Sequence, residues 1–237
     1  MKKIFIIICL YFGICFHSQA QEDITYSLTA IDEISVSNFK KAMIIPSSEN
    51  SVVVIYDEIL KNRFSMNQES GRFSVSMSPI RIDLKNPKHR KMLKANSEVR
   101  IYSNLESVEK LILELVPNAE LDISSLSNLK LQLKACESVK GNVEGVTLKL
   151  MMDGSNLQLN GKIKNVILNS KASNLEFKKL HVADFAIENA ISSNIKISVM
   201  DVLSIVSFKT TNVYYKGSPS LELAKGIDMS TCTLSSF

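Results

Sequence analysis

The residues that could carry out chemistry are few and scattered. After the first 20 residues the chain has two histidines, His89 and His181, which lie in different regions without an accompanying Cys or acidic ligand pattern. No GxSxG, GxGxxG or Walker motif is present. A glycosidase needs acids that converge on one face, but the acids of the C-terminal half do not recur at one position of a repeat: Glu144, Asp153, Glu176, Asp184, Glu188 and Asp201. We therefore predict a protein that is not an enzyme, with no catalytic, metal or cofactor site.

A hydroxyl residue followed by Asn recurs through the C-terminal half, in steps of 18, 20 and 18 residues. Each pair precedes a short segment in which apolar and polar residues alternate (LQL, LEF, IKI, VYY), as in a β-strand. A period near 20 residues with this alternation indicates a solenoid whose coils stack at about 4.8 Å. The four pairs are Ser155-Asn156, Ser173-Asn174, Ser193-Asn194 and Thr211-Asn212.

The repeat defines the predicted architecture. Sliding the sequence backwards in steps of 18 residues extends the pattern to about residue 118, which gives about six short rungs in residues 118–237. Residues 21–117 contain short β-rich segments without a clear period. The prediction is an all-β protein, a right-handed parallel β-helix preceded by an irregular β-strand region, with 21–237 forming one continuous domain.

The repeated Asn residues are interpreted as a structural ladder. Asn tolerates left-handed backbone better than other non-Gly residues, and stacked Asn amides can bond to one another along the axis. The alternative is an exposed polar row that binds a ligand. The ladder consists of Asn156, Asn174, Asn194 and Asn212.

Basic residues form a second candidate site. The segment KNPKHRK (85–91) is predicted to be a loop, because Pro87 cannot donate a hydrogen bond within a central strand. It is either a patch for anionic glycans or membranes, or a solvated loop, and its members are Lys85, Lys88, His89, Arg90 and Lys91. Other lysines are scattered through the coils, and some are expected to share a face. This face either meets anionic glycans or lipid phosphates, or is a solvated face that discourages edge-to-edge aggregation. These lysines are Lys162, Lys164, Lys171, Lys178, Lys179 and Lys196.

Residues 1–20 have the features of a secretory signal peptide. Lys2 and Lys3 precede a short apolar run, and a small-x-small cleavage site ends at Ala20. The formal charge of +4 includes these two lysines, so the remaining chain carries +2, which gives no reason to expect nucleic acid binding. We expect an exported protein, periplasmic or at the cell surface. Two cysteines remain, and their coils would lie on the order of 20 Å apart at the strand spacing, too far for a disulfide.

Several motifs resemble the GIN head domain family of auto-transporter adhesins, which is common in exported proteins of Bacteroidetes. The turns resemble the SGASN-type turns of that family, the segment GKIKNVILN (161–169) resembles the strand between them, and YYKGSPSL (214–221) is similar to its closing YKGNP motif. The resemblance covers essentially the whole chain after the signal peptide. It implies a right-handed β-helical fold, an export context and no catalytic residues. The turns are DGSN (153–156), KASN (171–174), ISSN (191–194) and KTTN (209–212).

These observations lead to two functional hypotheses. The first is an exported, non-enzymatic protein with an adhesin-like or cell-envelope interaction role, whose partners are envelope or surface glycans or proteins. The alternative is a carbohydrate-binding or carbohydrate-active β-helix protein. A groove with two convergent carboxylates or an aromatic platform would favour the alternative. The open end of a β-helix also makes a homo-oligomer a reasonable expectation.

Overall fold

The computed structural model describes residues 21–79, 83, 85–227 and 229–236, so the predicted signal peptide lies outside the described residues. Strands make up 68% of the structure and helices 5%. The strands are β1 (Gln21–Ser27), β2 (Glu33–Ser37), β3 (Lys41–Pro46), β4 (Ser51–Asp57), β5 (Phe64–Glu69), β6 (Arg72–Met77), β7 (Ser97–Ser103), β8 (Lys110–Glu114), β9 (Asn118–Lys134), β10 (Ser138–Asp153), β11 (Asn156–Lys171), β12 (Asn174–Ile191), β13 (Asn194–Ile205), β14 (Phe208–Lys209), β15 (Asn212–Lys216), β16 (Ser220–Leu223) and β17 (Thr233–Ser236).

The C-terminal half is a parallel β-solenoid in which each of the strands β9 to β12 forms nearly a whole coil. Neighbouring coils pair in parallel register, so equivalent residues stack directly above one another. The alternation in the sequence sends every second side chain inward, where it is buried. The predicted fold class is confirmed, with about seven turns in place of six. One inward column consists of Val139, Leu157, Leu175, Ile195 and Val213.

The solenoid also includes strands from the N-terminal half. Strand β2 pairs in parallel with β8, and β3 pairs in parallel with β9, so residues 33–46 form a coil that continues the columns of the C-terminal half. Residues 47–109 intervene in the sequence between this coil and the next. The sequence placed the start of the repeat near residue 118, and the parallel pairing extends the columns back to residues 33–46. A long insertion hides this earlier coil from a search at a fixed period.

The end of the solenoid nearest to the N-terminus is covered. Strands β6 and β7 lie beside β2 and β3 in parallel and add one more layer. Antiparallel strands then close this end, with β5 on β6, β4 on β7 and β1 on β4. Antiparallel edge strands of this kind prevent further coils from stacking on this end.

The basic segment is a helix, and its prediction as a loop is wrong. Helix α1 (Pro87–Lys94) connects β6 to β7 and takes the place of a solenoid turn. Asn86 caps it by accepting the N–H of Lys88 at 2.9 Å. Pro87 occupies the first helical position, where its missing N–H has no intrahelical partner to lose. Pro87 therefore begins a helix here, although it argued correctly against a central strand.

Candidate functional site

Each coil turns at a residue with left-handed backbone, and that residue is not the repeated Asn. The left-handed residues precede each Asn by two positions: Gly154, Ala172, Ser192 and Thr210 have φ between 47° and 57°. The sequence suggested that Asn recurs because it tolerates left-handed backbone, and this explanation is therefore wrong. Ala, Ser and Thr bear the strain of this conformation because the coils above and below hold each turn in place.

A buried ladder of hydroxyl groups joins these turns. Its members, Ser155, Ser173, Ser193 and Thr211, are at most 5% exposed. Each hydroxyl accepts the backbone N–H of its equivalent in the preceding coil, as when Ser173 Oγ accepts from Ser155 N at 3.2 Å. Each also donates to the carbonyl two residues earlier, as when Ser173 Oγ donates to Lys171 O at 2.7 Å. We call this set the hydroxyl ladder.

Cys136 occupies the same column one coil earlier. Its N–H donates to Ser155 Oγ at 3.1 Å, and its thiol contacts the carbonyl of Leu113 at 3.3 Å. Burial raises the pKa of the Cys136 thiol above its ordinary value, which keeps it neutral. Cys136 and Cys232 are both free thiols, as expected from their separation along the solenoid.

The repeated Asn residues form a row on the outer surface. They lie in parallel register across β11, β12, β13 and β15, and three of the four are exposed. Asn194 Nδ2 donates to Asn174 Oδ1 at 3.0 Å, and Asn156 Nδ2 donates to Glu137 O at 2.9 Å. The first bond is the kind that the ladder interpretation expects. The row nevertheless presents its amide groups to solvent. The buried hydrogen bonds between coils are made by the hydroxyl groups.

Beside this row lies a groove with an aromatic wall. Two positions further along the strands, Glu176, Lys196 and Tyr214 form the next outward row. The groove has a volume of about 540 Å³. We call it the Tyr214 groove, and its lining residues are Lys178, Asn194, Lys196, Asn212 and Tyr214.

The Tyr214 groove is basic. Lys178 lies at an irregularity of β12, and its Nζ contacts Glu176 Oε1 at 3.0 Å. Lys196 is half-buried and makes no ion pair within the described part of the chain. Lys216 follows Tyr214 by two positions on β15 and is exposed. Lys178 and Lys196 line the groove and Lys216 lies just beyond it, while Glu176 is the one carboxylate in the adjoining row, which leaves a net positive charge.

The other scattered lysines divide between faces. Lys179 lies opposite Asn160, and Lys162 lies opposite His181, so both extend the basic surface beyond the groove. Lys171 belongs to a different outward row near the turns, in which acidic and basic residues alternate in register: Glu114, Lys134, Asp153 and Lys171. In that row Lys134 Nζ lies 2.6 Å from Glu114 Oε1.

A second, more apolar groove of about 440 Å³ runs beside that charged row. Ile112 and Met151 contribute to its apolar surface, and Met151 is 41% exposed. Gln132 and Asn169 interrupt this surface, and Gln132 Nε2 lies 3.2 Å from Met151 Sδ. The apolar surface of this groove is therefore short.

The basic patch of α1 is separate from the Tyr214 groove. Lys85, Lys88, Arg90 and Lys91 are exposed, whereas His89 is half-buried and its Nδ1 accepts the N–H of Asp83 at 3.2 Å. Helix α1 leads into β7, and strands β3, β9, β10 and β11 lie between β7 and β12. The structure therefore does not bring the two basic surfaces together.

Two acidic residues, Glu114 and Asp153, line the apolar groove, but Lys134 lies between them in register. Within the coils, Glu144 lies opposite Lys162, Asp153 opposite Lys171, and Asp184 opposite Asn165. No group of three metal-ligating side chains occurs among the described residues.

Tyr214 is the residue that the sequence reasoning overlooked. Its position in VYY, between the inward Val213 and Tyr215, was the signal that its ring faces outward.

The comparisons with known proteins agree with this architecture. The sequence profile of the family described as "Putative auto-transporter adhesin, head GIN domain" matches residues 30–219. No curated protein matches the chain. No helix in the described residues has the length and apolar character needed to cross a membrane.

Several solved structures have the same fold. A "putative lipid binding protein" from Parabacteroides distasonis ATCC 8503 superposes with a TM-score of 0.65 at 12% identity, covering 93% of this chain and 98% of that one. A "putative adhesin" from Bacteroides fragilis NCTC 9343 has a TM-score of 0.62 at 16% identity, with the same coverage. At these identities the similarity shows the fold.

Proposed function

Because this chain belongs to the family of GIN head domains of auto-transporter adhesins, we propose that it is an exported, non-enzymatic protein that binds components of the cell envelope or of other surfaces. Its partners are surface glycans or proteins. The family is named for adhesins and not for an enzyme activity. The residues of the chain agree with this role, since among the described residues no acid of the coils is paired in register with another acid.

The Tyr214 groove is the observation that carries the proposal. It combines an aromatic ring, two amides and two ammonium groups on one outer face of a rigid solenoid. Binding sites commonly join one apolar surface to a few fixed polar groups in this way. The aromatic platform favours carbohydrate binding, which was the alternative hypothesis, as the means by which an adhesin-like protein acts.

The apolar groove beside Met151 supports lipid binding less well. One solved structure with this fold is named a lipid binding protein. In this chain, however, Gln132 and Asn169 interrupt the apolar surface, and a row of alternating charges flanks it. An acyl chain would exclude water from those amide groups and from the neighbouring charges, which is costly. We therefore assign the binding role to the Tyr214 groove.

Export and binding can be tested together. Fractionation of cells that express the full chain is expected to place a form beginning at Gln21 in the periplasm or on the cell surface, identified by its intact mass. Purified protein spanning 21–237 is then incubated with a glycan array and with intact cells. Uncleaved protein confined to the cytoplasm would refute export, and an absence of binding to both array and cells would refute the adhesin-like role.

A further inference from the structure

We infer that the Tyr214 groove binds an acidic polysaccharide, with carboxylate or sulfate groups held by Lys178 and Lys196 and a sugar ring packed on Tyr214. This inference rests on the proposed function and specifies its ligand. It is argued from the arrangement of side chains in three neighbouring strands, β12, β13 and β15, which present two parallel outward rows.

The spacing of the rows suits an extended polymer. The first row holds Asn194 and Asn212, and the second holds Lys196 and Tyr214 two residues further along each strand. Successive strands are about 4.8 Å apart, and residues two apart on a strand are separated by roughly 6.6 Å. Amide, ammonium and aromatic groups therefore lie along the groove at separations comparable to the spacing of successive units in a sugar chain.

The charges of the groove select for acidic groups. Lys196 is half-buried and makes no ion pair among the described residues, so its ammonium group is available to an anionic ligand. Lys178 also lines the groove, and its Nζ lies 3.0 Å from Glu176 Oε1. Hydrogen bonds from an ammonium to a carboxylate or sulfate are about twice as strong as neutral ones. A neutral sugar could not form these stronger hydrogen bonds with the ammonium groups.

Tyr214 and the two amides account for the carbohydrate part. The ring of Tyr214 is half-buried and lies in the outward row beside Lys196. Tyr offers a rigid apolar face together with a polar hydroxyl, and this combination matches a sugar ring, which has an apolar face and polar edges. Asn194 and Asn212 each supply one acceptor and two donor hydrogens for sugar hydroxyls. A membrane surface would use the lysines alone, because the groove has no aliphatic side chain to insert.

Direct binding measurements test the inference. The protein spanning 21–237 is titrated by calorimetry at 0.15 M NaCl with polygalacturonate, dextran sulfate and neutral dextran, and is tested for cosedimentation with phosphatidylglycerol vesicles. We expect binding to at least one acidic polymer and none to dextran. Tyr214→Ala and Lys196→Gln should each weaken binding by about tenfold, equivalent to roughly 1.4 kcal/mol. The two acidic polymers distinguish carboxylate from sulfate recognition.

A matched control separates the groove from general electrostatics. Lys149 is exposed on another face, where it lies opposite Ile167, so Lys149→Gln removes the same charge away from the groove. It should leave binding within about twofold of the unaltered protein, and all variants should retain the same melting temperature. Equal losses for Lys149→Gln and Lys196→Gln, unchanged binding by Tyr214→Ala, or binding to vesicles alone would each overturn the inference. If the protein binds cells or the array but none of these polymers, the ligand class is wrong while the adhesin-like role stands.

Discussion

The hydroxyl ladder makes a sharp prediction about which member of each Ser-Asn pair stabilises the solenoid. Ser173 is 5% exposed and lies in the middle of the ladder. Replacing it with Ala removes the acceptor for the N–H of Ser155 and the donor to Lys171 O. The N–H of Ser155 then remains buried without a partner, whereas Lys171 O still accepts from Gly154.

The expected loss follows from these contacts. Leaving one buried N–H unsatisfied costs about 1–3 kcal/mol, and only one of the two lost bonds leaves such a group. We therefore expect Ser173→Ala to lower the free energy of unfolding by about 2 kcal/mol. For a chain of this size, that corresponds to a decrease in melting temperature of roughly 4–8 °C.

The assay is chemical and thermal denaturation of the chain spanning 21–237, followed by circular dichroism. Asn174→Ala is the matched control because Asn174 is the neighbouring exposed residue, and it should lose less than about 1 kcal/mol. Ser173→Thr keeps the hydroxyl, as Thr211 does naturally two coils later. It should preserve more stability than Ser173→Ala.

The opposite ranking would refute this reasoning. If Asn174→Ala destabilises the protein more than Ser173→Ala, the amides and not the hydroxyls hold the turns together. The interpretation of the Asn row as the structural ladder, which the sequence first suggested, would then be correct. If both variants melt within error of the unaltered protein, neither row contributes measurably, and the inward apolar columns carry the stability.

Three further predictions concern the coil corners and the thiols. Gly161 has φ +116, and an added Cβ would lie 2.2 Å from Val143 O, so Gly161→Ala should destabilise by more than about 2 kcal/mol. Gly154→Ala, which meets nothing within 4 Å, should cost about 1 kcal/mol in the same denaturation assay. A thiol reagent at pH 8 should react quickly with Cys232 alone in the folded chain and with both cysteines after unfolding. Because the pKa of Cys136 is raised in the folded state, its ionisation on unfolding should lower stability as the pH rises above the ordinary thiol pKa.

The period and alternation of the coils could be recognised from the sequence, because they are local properties of it. Inward residues such as Leu157 and Leu175 recur at the coil length and must be apolar, since each fills the same position in a stacked core. The earlier coil at residues 33–46 was not readable, because residues 47–109 separate it from its neighbour. Only long-range strand pairing reveals that it belongs to the same columns.

The sequence alone determined the fold class, the coil positions of the Ser-Asn pairs and the free state of both cysteines. The tertiary structure decided which member of each pair is buried, because burial depends on a turn whose left-handed residue is Gly, Ala, Ser or Thr without a common signature. It also brought Lys178, Lys196 and Tyr214 into one groove, since residues 18 apart become neighbours only when coils stack in register. Stacking converts spacing along the chain into rows on a surface, and the proposed binding surface exists only in the folded solenoid.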